Sequence, residues 1–221
     1  MNYWDLLLFI ISAYAFQMLA LYSADCFVKA HGSPSGLTGQ WYYAIIISLF
    51  SVLAVLSMQN DTTFINVLFI SALYGFLSLF IILDTERNWL PKCFTFTFIV
   101  IGIVYLFIEQ KYEWRIMTAT VFLLCLGLFL FRVYINRRAG GEVFGLGDVY
   151  LIVGLAVWFS VLTALKLIIV ATLLAILFLL FKKYRFPSRW RHHHEYRGTP
   201  FAPFLCGVAA VWGVLPVAIF S

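Results

Sequence analysis

Charge is what this sequence has least of. Lys, Arg, Asp and Glu make up 11% of its 221 residues, where a soluble domain carries about 25%. That scarcity, with 63% hydrophobic residues, excludes an ordinary soluble domain and leaves an integral membrane protein. Cysteine is scarce too: Cys26, Cys93, Cys125 and Cys206 are scattered with no CxxC pair. Three of them lie in or next to apolar runs, where a small buried hydrophobe is expected rather than a zinc site or a disulfide. No basic segment precedes the first apolar run and no A-x-A site clearly follows it. Residues 4–22 are therefore expected to be a retained span, not a cleaved signal. There is no internal repeat or low-complexity tract, and the polar stretches 23–40 and 182–199 are too short to bury a core. We expect one membrane domain covering 1–221. Its formal charge of +5 lies in short loops between apolar runs, so nucleic acid is not an expected partner.

What is present is apolar and aromatic, with 23 Phe and 12 Tyr. A membrane-crossing helix needs about 20 mostly apolar residues. The candidates are 4–22, 41–58, 63–83, 93–109, 115–131, 148–160, 163–181 and 200–220. As a single helix, 148–181 would reach about 50 Å against a hydrocarbon core of about 30 Å. A break is therefore expected near Phe159–Thr163. The expected fold is all-α, a polytopic transmembrane helical bundle of about eight spans. Tyr3, Trp4, Trp41, Tyr42, Tyr43, Trp89 and Trp114 lie near span ends, as an interfacial aromatic belt would.

Orientation follows from the loops. One set, 23–40, 84–92, 132–147 and 182–199, holds nearly all the basic residues, among them Lys29, Arg87, Arg137, Lys182 and Arg197. The opposite set holds only Lys111 and Arg115. Positive residues mark the cytoplasmic side, so both termini are expected outside. Asp84 and Asp148 then fall at the cytoplasmic ends of their helices.

Those two carboxylates are the chemical candidates. Asp148 opens an apolar run behind Gly145 and Gly147, and a charge at the centre of such a helix costs roughly 2.5–3.5 kcal/mol. Asp84 ends an earlier run, and Pro91 behind it suits the entrance of the next helix. Two carboxylates sharing a site cannot both ionise cheaply, so the pair would hold one proton between them. One member can then activate water while the other polarises a carbonyl. Read from position alone, an Asp at a helix end also serves as a cap, and a buried pair also serves a proton or cation path.

The motifs resemble those of a known family. Gly145-Leu146-Gly147-Asp148 matches the GxGD signature of intramembrane aspartyl proteases, and Glu142 through Val149 is similar to its form in type IV prepilin peptidases. In that family the first catalytic Asp is followed seven residues later by Pro, as Asp84 is by Pro91. Thr199-Pro200-Phe201-Ala202-Pro203-Phe204 resembles its proline–phenylalanine landmark before the last span. The resemblance implies an aspartic endopeptidase of the bacterial inner membrane. It would remove a short basic leader from type IV prepilin or pseudopilin precursors, cutting after a glycine at the cytoplasmic face. Asp84 and Asp148 would be catalytic; Glu142, Gly145, Gly147, Pro91, Pro200, Phe201 and Pro203 would shape the site. No metal or other cofactor is expected, because the dyad supplies both base and acid.

The sequence departs from the family pattern at Lys92, where Asp or Asn often stands, and at Tyr150, where Lys often stands. The loop 23–40 is short, with Cys26 alone in place of the paired zinc cysteines of larger members. Peptidase activity without N-methylation is therefore expected. A positive leader is expected to meet Glu86, Glu142 or Glu195. The stretch Arg189–Glu195, with His192, His193 and His194, reads as a basic loop facing anionic headgroups rather than a metal site. A protease acting on other leader or membrane peptides, and a transporter using the Asp pair, are the alternatives.

Overall fold

The structure, a computed structural model, describes residues 3–31, 41–58, 63–108, 114–142, 144–185 and 200–215. Among these it is all-helical: α1 (Tyr3–Ala30), α2 (Trp41–Ser57), α3 (Phe64–Arg87), α4 (Lys92–Ile108), α5 (Trp114–Ala139), α6 (Leu146–Phe159), α7 (Val161–Arg185) and α8 (Ala202–Val214). Each expected span has its helix. Four of them, α1, α3, α5 and α7, contain stretches long and apolar enough to cross a membrane. The others are apolar but shorter, 17 residues in α2 and α4, 14 in α6 and 13 in α8. At 1.5 Å per residue, α6 reaches only about 21 Å.

Two helix limits are informative. The apolar run of the first span stops at residue 22, yet α1 continues to Ala30, into the expected loop. Ala24 and Val28 prolong its buried stripe, and Asp25 pairs with Lys29 at 2.5 Å, one helical turn on. The expected break at 159–163 is a single residue, Ser160, at φ 79° and ψ 156°. Its Oγ accepts the Thr163 N–H at 3.4 Å, so the residue that ends α6 also caps α7.

The chain divides into two compact units, one of Met1–Glu86 with Ala209–Ser221 and the other of Arg87–Val208. In the first, α1 buries Phe9, Ala13, Gln17, Ala20, Ala24 and Val28, and it packs on α2. That spacing of three and four residues keeps them on one helix face. α3 is buried along most of its length. Ser12 and Ser71 share a hydrogen bond of 3.1 Å, and the Tyr74 hydroxyl donates to the Ala210 carbonyl at 2.9 Å. At membrane depth no water is at hand to serve such groups, so protein partners must.

In the second unit α6 is central, packed by α4, α5 and α7 and buried from Leu151 to Phe159. The Trp158 ring stacks on Phe98 and Tyr105 at 5.8 and 5.5 Å, and its N–H donates to the Phe98 carbonyl at 3.2 Å. This approach needs Gly154: a methyl group there would lie 2.5 Å from Phe98 Cδ1. Gly154→Val is expected to destabilise by about 1–3 kcal/mol. Gly127, with nothing within 4 Å of its missing side chain, should accept the same change. Unfolding midpoints in detergent test this, and equal midpoints for the two variants would refute the α4–α6 account.

Candidate active site

Asp84 lies in the last turn of α3 and is 6% exposed. Two residues on, Glu86 Oε1 accepts a hydrogen bond from the Tyr42 hydroxyl at 2.7 Å and another from Tyr43. The start of α2 is thereby tied to the end of α3, within the first unit. Tyr42 and Tyr43 were expected as interfacial aromatics; their hydroxyls have this more specific use. Asn88, at φ 49°, stops α3 in the left-handed conformation that Asn tolerates.

Pro91 then starts α4 as expected. Its carbonyl accepts the Phe94 and Thr95 N–H groups at 3.2 and 3.3 Å. An N-cap residue has no donor to satisfy within the helix, so proline's missing N–H costs nothing here.

Asp148 sits in the first turn of α6, with Gly145 as the N-cap residue at φ −71° and ψ 148°. Its carboxylate folds back over that cap, because a methyl group at Gly145 would lie 3.1 Å from Asp148 Oδ2. Gly145 thus leaves room for the carboxylate. Gly147 leaves room for the main chain: a methyl group there would lie 2.7 Å from Leu90 Cβ and 3.0 Å from the Leu90 carbonyl oxygen. No rotation of a flexible side chain relieves that clash, so the start of α6 rests on Leu90–Pro91 only with glycine at 147. Asp148 is half-buried, and its position at a helix N-terminus supports negative charge.

The loop before α6 is held from α5 by residues that sequence reading passed over. Asn136 Nδ2 donates to the Phe144 carbonyl at 3.1 Å, and Asn136 Oδ1 accepts the Phe144 N–H at 2.9 Å. One turn earlier, Arg132 Nη2 binds Glu142 Oε1 at 2.6 Å. The Phe144 ring meets Phe131 edge-on at 6.1 Å. The available signal was a polar pair four residues apart, Arg132 and Asn136, closing an apolar helix just ahead of a glycine-rich loop.

Of the remaining expected site residues, Phe201 caps α8, accepting the Phe204 and Leu205 N–H groups at 3.1 and 3.2 Å. Pro200 precedes it and Pro203 fits the first turn, where a missing N–H is harmless. Phe204 packs on Phe178 of α7 at 5.5 Å, so this motif is joined to α7. Of the acids expected to meet a basic leader, Glu142 pairs with Arg132 and Glu86 with the two tyrosines. Glu195 and the histidines 192–194 lie outside the described residues.

Asn136→Leu removes both bonds to Phe144, each worth about 1 kcal/mol. Hydrogen exchange at Phe144 and Gly145 is expected to quicken while α4 stays protected. Unchanged exchange in that loop would show that Asn136 does not hold it.

No curated protein and no solved structure matches the chain. A family model does, that of the type IV leader peptidase family, over residues 71–180. The matched stretch holds Asp84, Pro91 and the whole of Glu142–Asp148, and it ends before Pro200. Through that half of its length, from the middle of α3 to the last turns of α7, the chain belongs to the type IV leader peptidase family.

Proposed function

We propose that this membrane-embedded leader peptidase is an aspartic endopeptidase with Asp84 and Asp148 as its catalytic pair. Its substrates are type IV prepilin or pseudopilin precursors, cut after the glycine that ends a short basic leader. The observation that carries this reading is the form of the Asp148 turn. A carboxylate in the first turn of α6 folds over a glycine, and a second glycine seats that turn on Leu90, six residues beyond Asp84. The family match spans both Asp residues.

The two carboxyl groups differ in a way that suits division of labour. Asp148 has the positive end of α6 to stabilise an ionised carboxylate, a contribution of about 0.3–1 kcal/mol. Asp84 is buried at the opposite kind of terminus, the negative end of α3. In the resting pair Asp148 is the base that takes a proton from water, and Asp84 the acid that donates to the scissile carbonyl oxygen. Collapse of the tetrahedral adduct passes the proton from Asp148 to the leaving amine, and Asp84 recovers its own. Water and peptide are consumed, one carboxyl and one amine are released, and no cofactor takes part.

A substrate that is itself a membrane helix must unwind before any carbonyl can be attacked, since a regular helix buries every peptide bond in its own hydrogen bonds. The glycines at 145 and 147 let the Asp148 turn sit close over its own cap and against Leu90, with the carboxylate half-buried at the start of α6. We place this site at the cytoplasmic face of the bacterial inner membrane, from the distribution of basic loops. We propose that the product leaves with an unmethylated amine, since the loop 23–40 is short and holds Cys26 alone where larger members carry paired cysteines.

Co-expression of a prepilin-type precursor with wild type, Asp84→Ala or Asp148→Ala tests the assignment. Each variant is expected to lose at least about 10²-fold in cleavage while accumulating in the membrane. Mass spectrometry of the new N-terminus should show scission after glycine with no added methyl group. Cleavage at the wild-type rate by either variant removes that Asp from the mechanism.

A further inference from the structure

The last turns of α5 carry an open groove of about 510 Å³, lined by Leu130, Val133, Tyr134, Arg137 and Arg138. Steps of three and four residues place these side chains along one face of the helix. One end of the groove is apolar, with Leu130 59% exposed. The other end carries two guanidinium groups. Arg138 Nη1 donates to the Tyr134 hydroxyl at 2.9 Å, which holds that guanidinium over the groove. Among the described residues no ion pair joins Arg137 or Arg138 to a carboxylate, whereas Arg132, one turn earlier, pairs with Glu142.

The surroundings specify what would fit. The stretch Thr118–Ala139 of α5 is apolar enough to cross a membrane, and none of that window is buried by the protein. An uncovered apolar face of this extent meets acyl chains in a bilayer. Cations in the final turn complement the helix dipole, which accounts for a basic residue there but not for an apolar trough leading up to it. Arg side chains match phosphate oxygens in pairs, and basic pockets at helix ends recruit acidic headgroups.

We propose that this groove is a binding site for one anionic phospholipid. Its phosphate lies between Arg137 and Arg138, the Tyr134 hydroxyl faces the glycerol region, and an acyl chain follows Leu130 and Val133. The ligand chemistry, a phosphate monoanion, is shared with free inorganic phosphate. Only the lipid also occupies the apolar end. The site stands apart from the catalytic proposal, since none of its residues belongs to the Asp pair or its glycine loop.

Native mass spectrometry of the full-length protein, delipidated in detergent and titrated with phosphatidylglycerol or phosphatidylcholine, tests it. Phosphatidylglycerol is expected to bind at least about tenfold more tightly than phosphatidylcholine. Arg137→Gln with Arg138→Gln should abolish that preference, while Lys182→Gln with Lys183→Gln, on α7, should keep it. Leu130→Trp leaves both charges and fills the apolar end, so it should weaken phosphatidylglycerol binding even if the double arginine variant fails to accumulate. Excess inorganic phosphate should not displace the lipid. Equal binding of both lipids, full binding by the double arginine variant or by Leu130→Trp, or displacement by phosphate each overturns the proposal.

Discussion

The approach of Gly147 to the Leu90 backbone fixes where α6 begins, and α6 is the helix on which α4, α5 and α7 pack. From that seat the buried surface of the second unit follows. Trp158 is brought to the Phe98 carbonyl, Gly154 to the Phe98 ring, and Ser160 to the point where α7 departs. Any side chain at 147 would displace the start of α6 away from Leu90, and the half-buried carboxylate of Asp148 with it. The packing of α6 and the position of the Asp148 carboxylate thus depend on the same missing atom.

Position in this unit comes from two different sources. Glycine permits close approach but specifies little, because it restricts the chain less than any other residue. The specification comes from α5, whose Asn136 occupies both hydrogen-bonding groups of Phe144 and whose Arg132 holds Glu142. In the first unit Tyr42 and Tyr43 act in a similar way on Glu86, close in sequence to Asp84. Each Asp therefore stands near a residue gripped by side chains from a different helix.

Much of this was legible before any coordinates. Composition gave the membrane class, the length of 148–181 demanded the break that Ser160 makes, and the GxGD turn with Pro91 pointed to the family. The residues that grip the loop were not legible. Asn136 and Arg132 look like the polar end of an apolar span, and only a loop folding back over the helix gives them partners. α1 was read short because hydropathy ends at residue 22, whereas Asp25 and Lys29 satisfy each other and let the helix run on. The shortness of α6 was legible as the span 148–160, but its burial was not: whether an apolar run is covered by protein or by lipid depends on its neighbours. The Pro200–Phe204 stretch kept the form expected of it, a helix start, with Phe204 set against Phe178 of α7.

The paired hydrogen bonds between Asn136 and Phe144 have a bearing on temperature. Gly140, Gly141, Gly145 and Gly147 give the segment before and into α6 an unusually large freedom when it is released. Among the described residues its order rests on the two Asn136 hydrogen bonds, the Arg132–Glu142 pair, the Phe131–Phe144 ring contact and the seat of Gly147 on Leu90, while the helices around it are held by extensive apolar burial. Entropy of release grows in weight with heating, so this segment is the first to come loose as the bundle around it persists. Heating is therefore expected to loosen the turn that carries Asp148 before the helices around it melt.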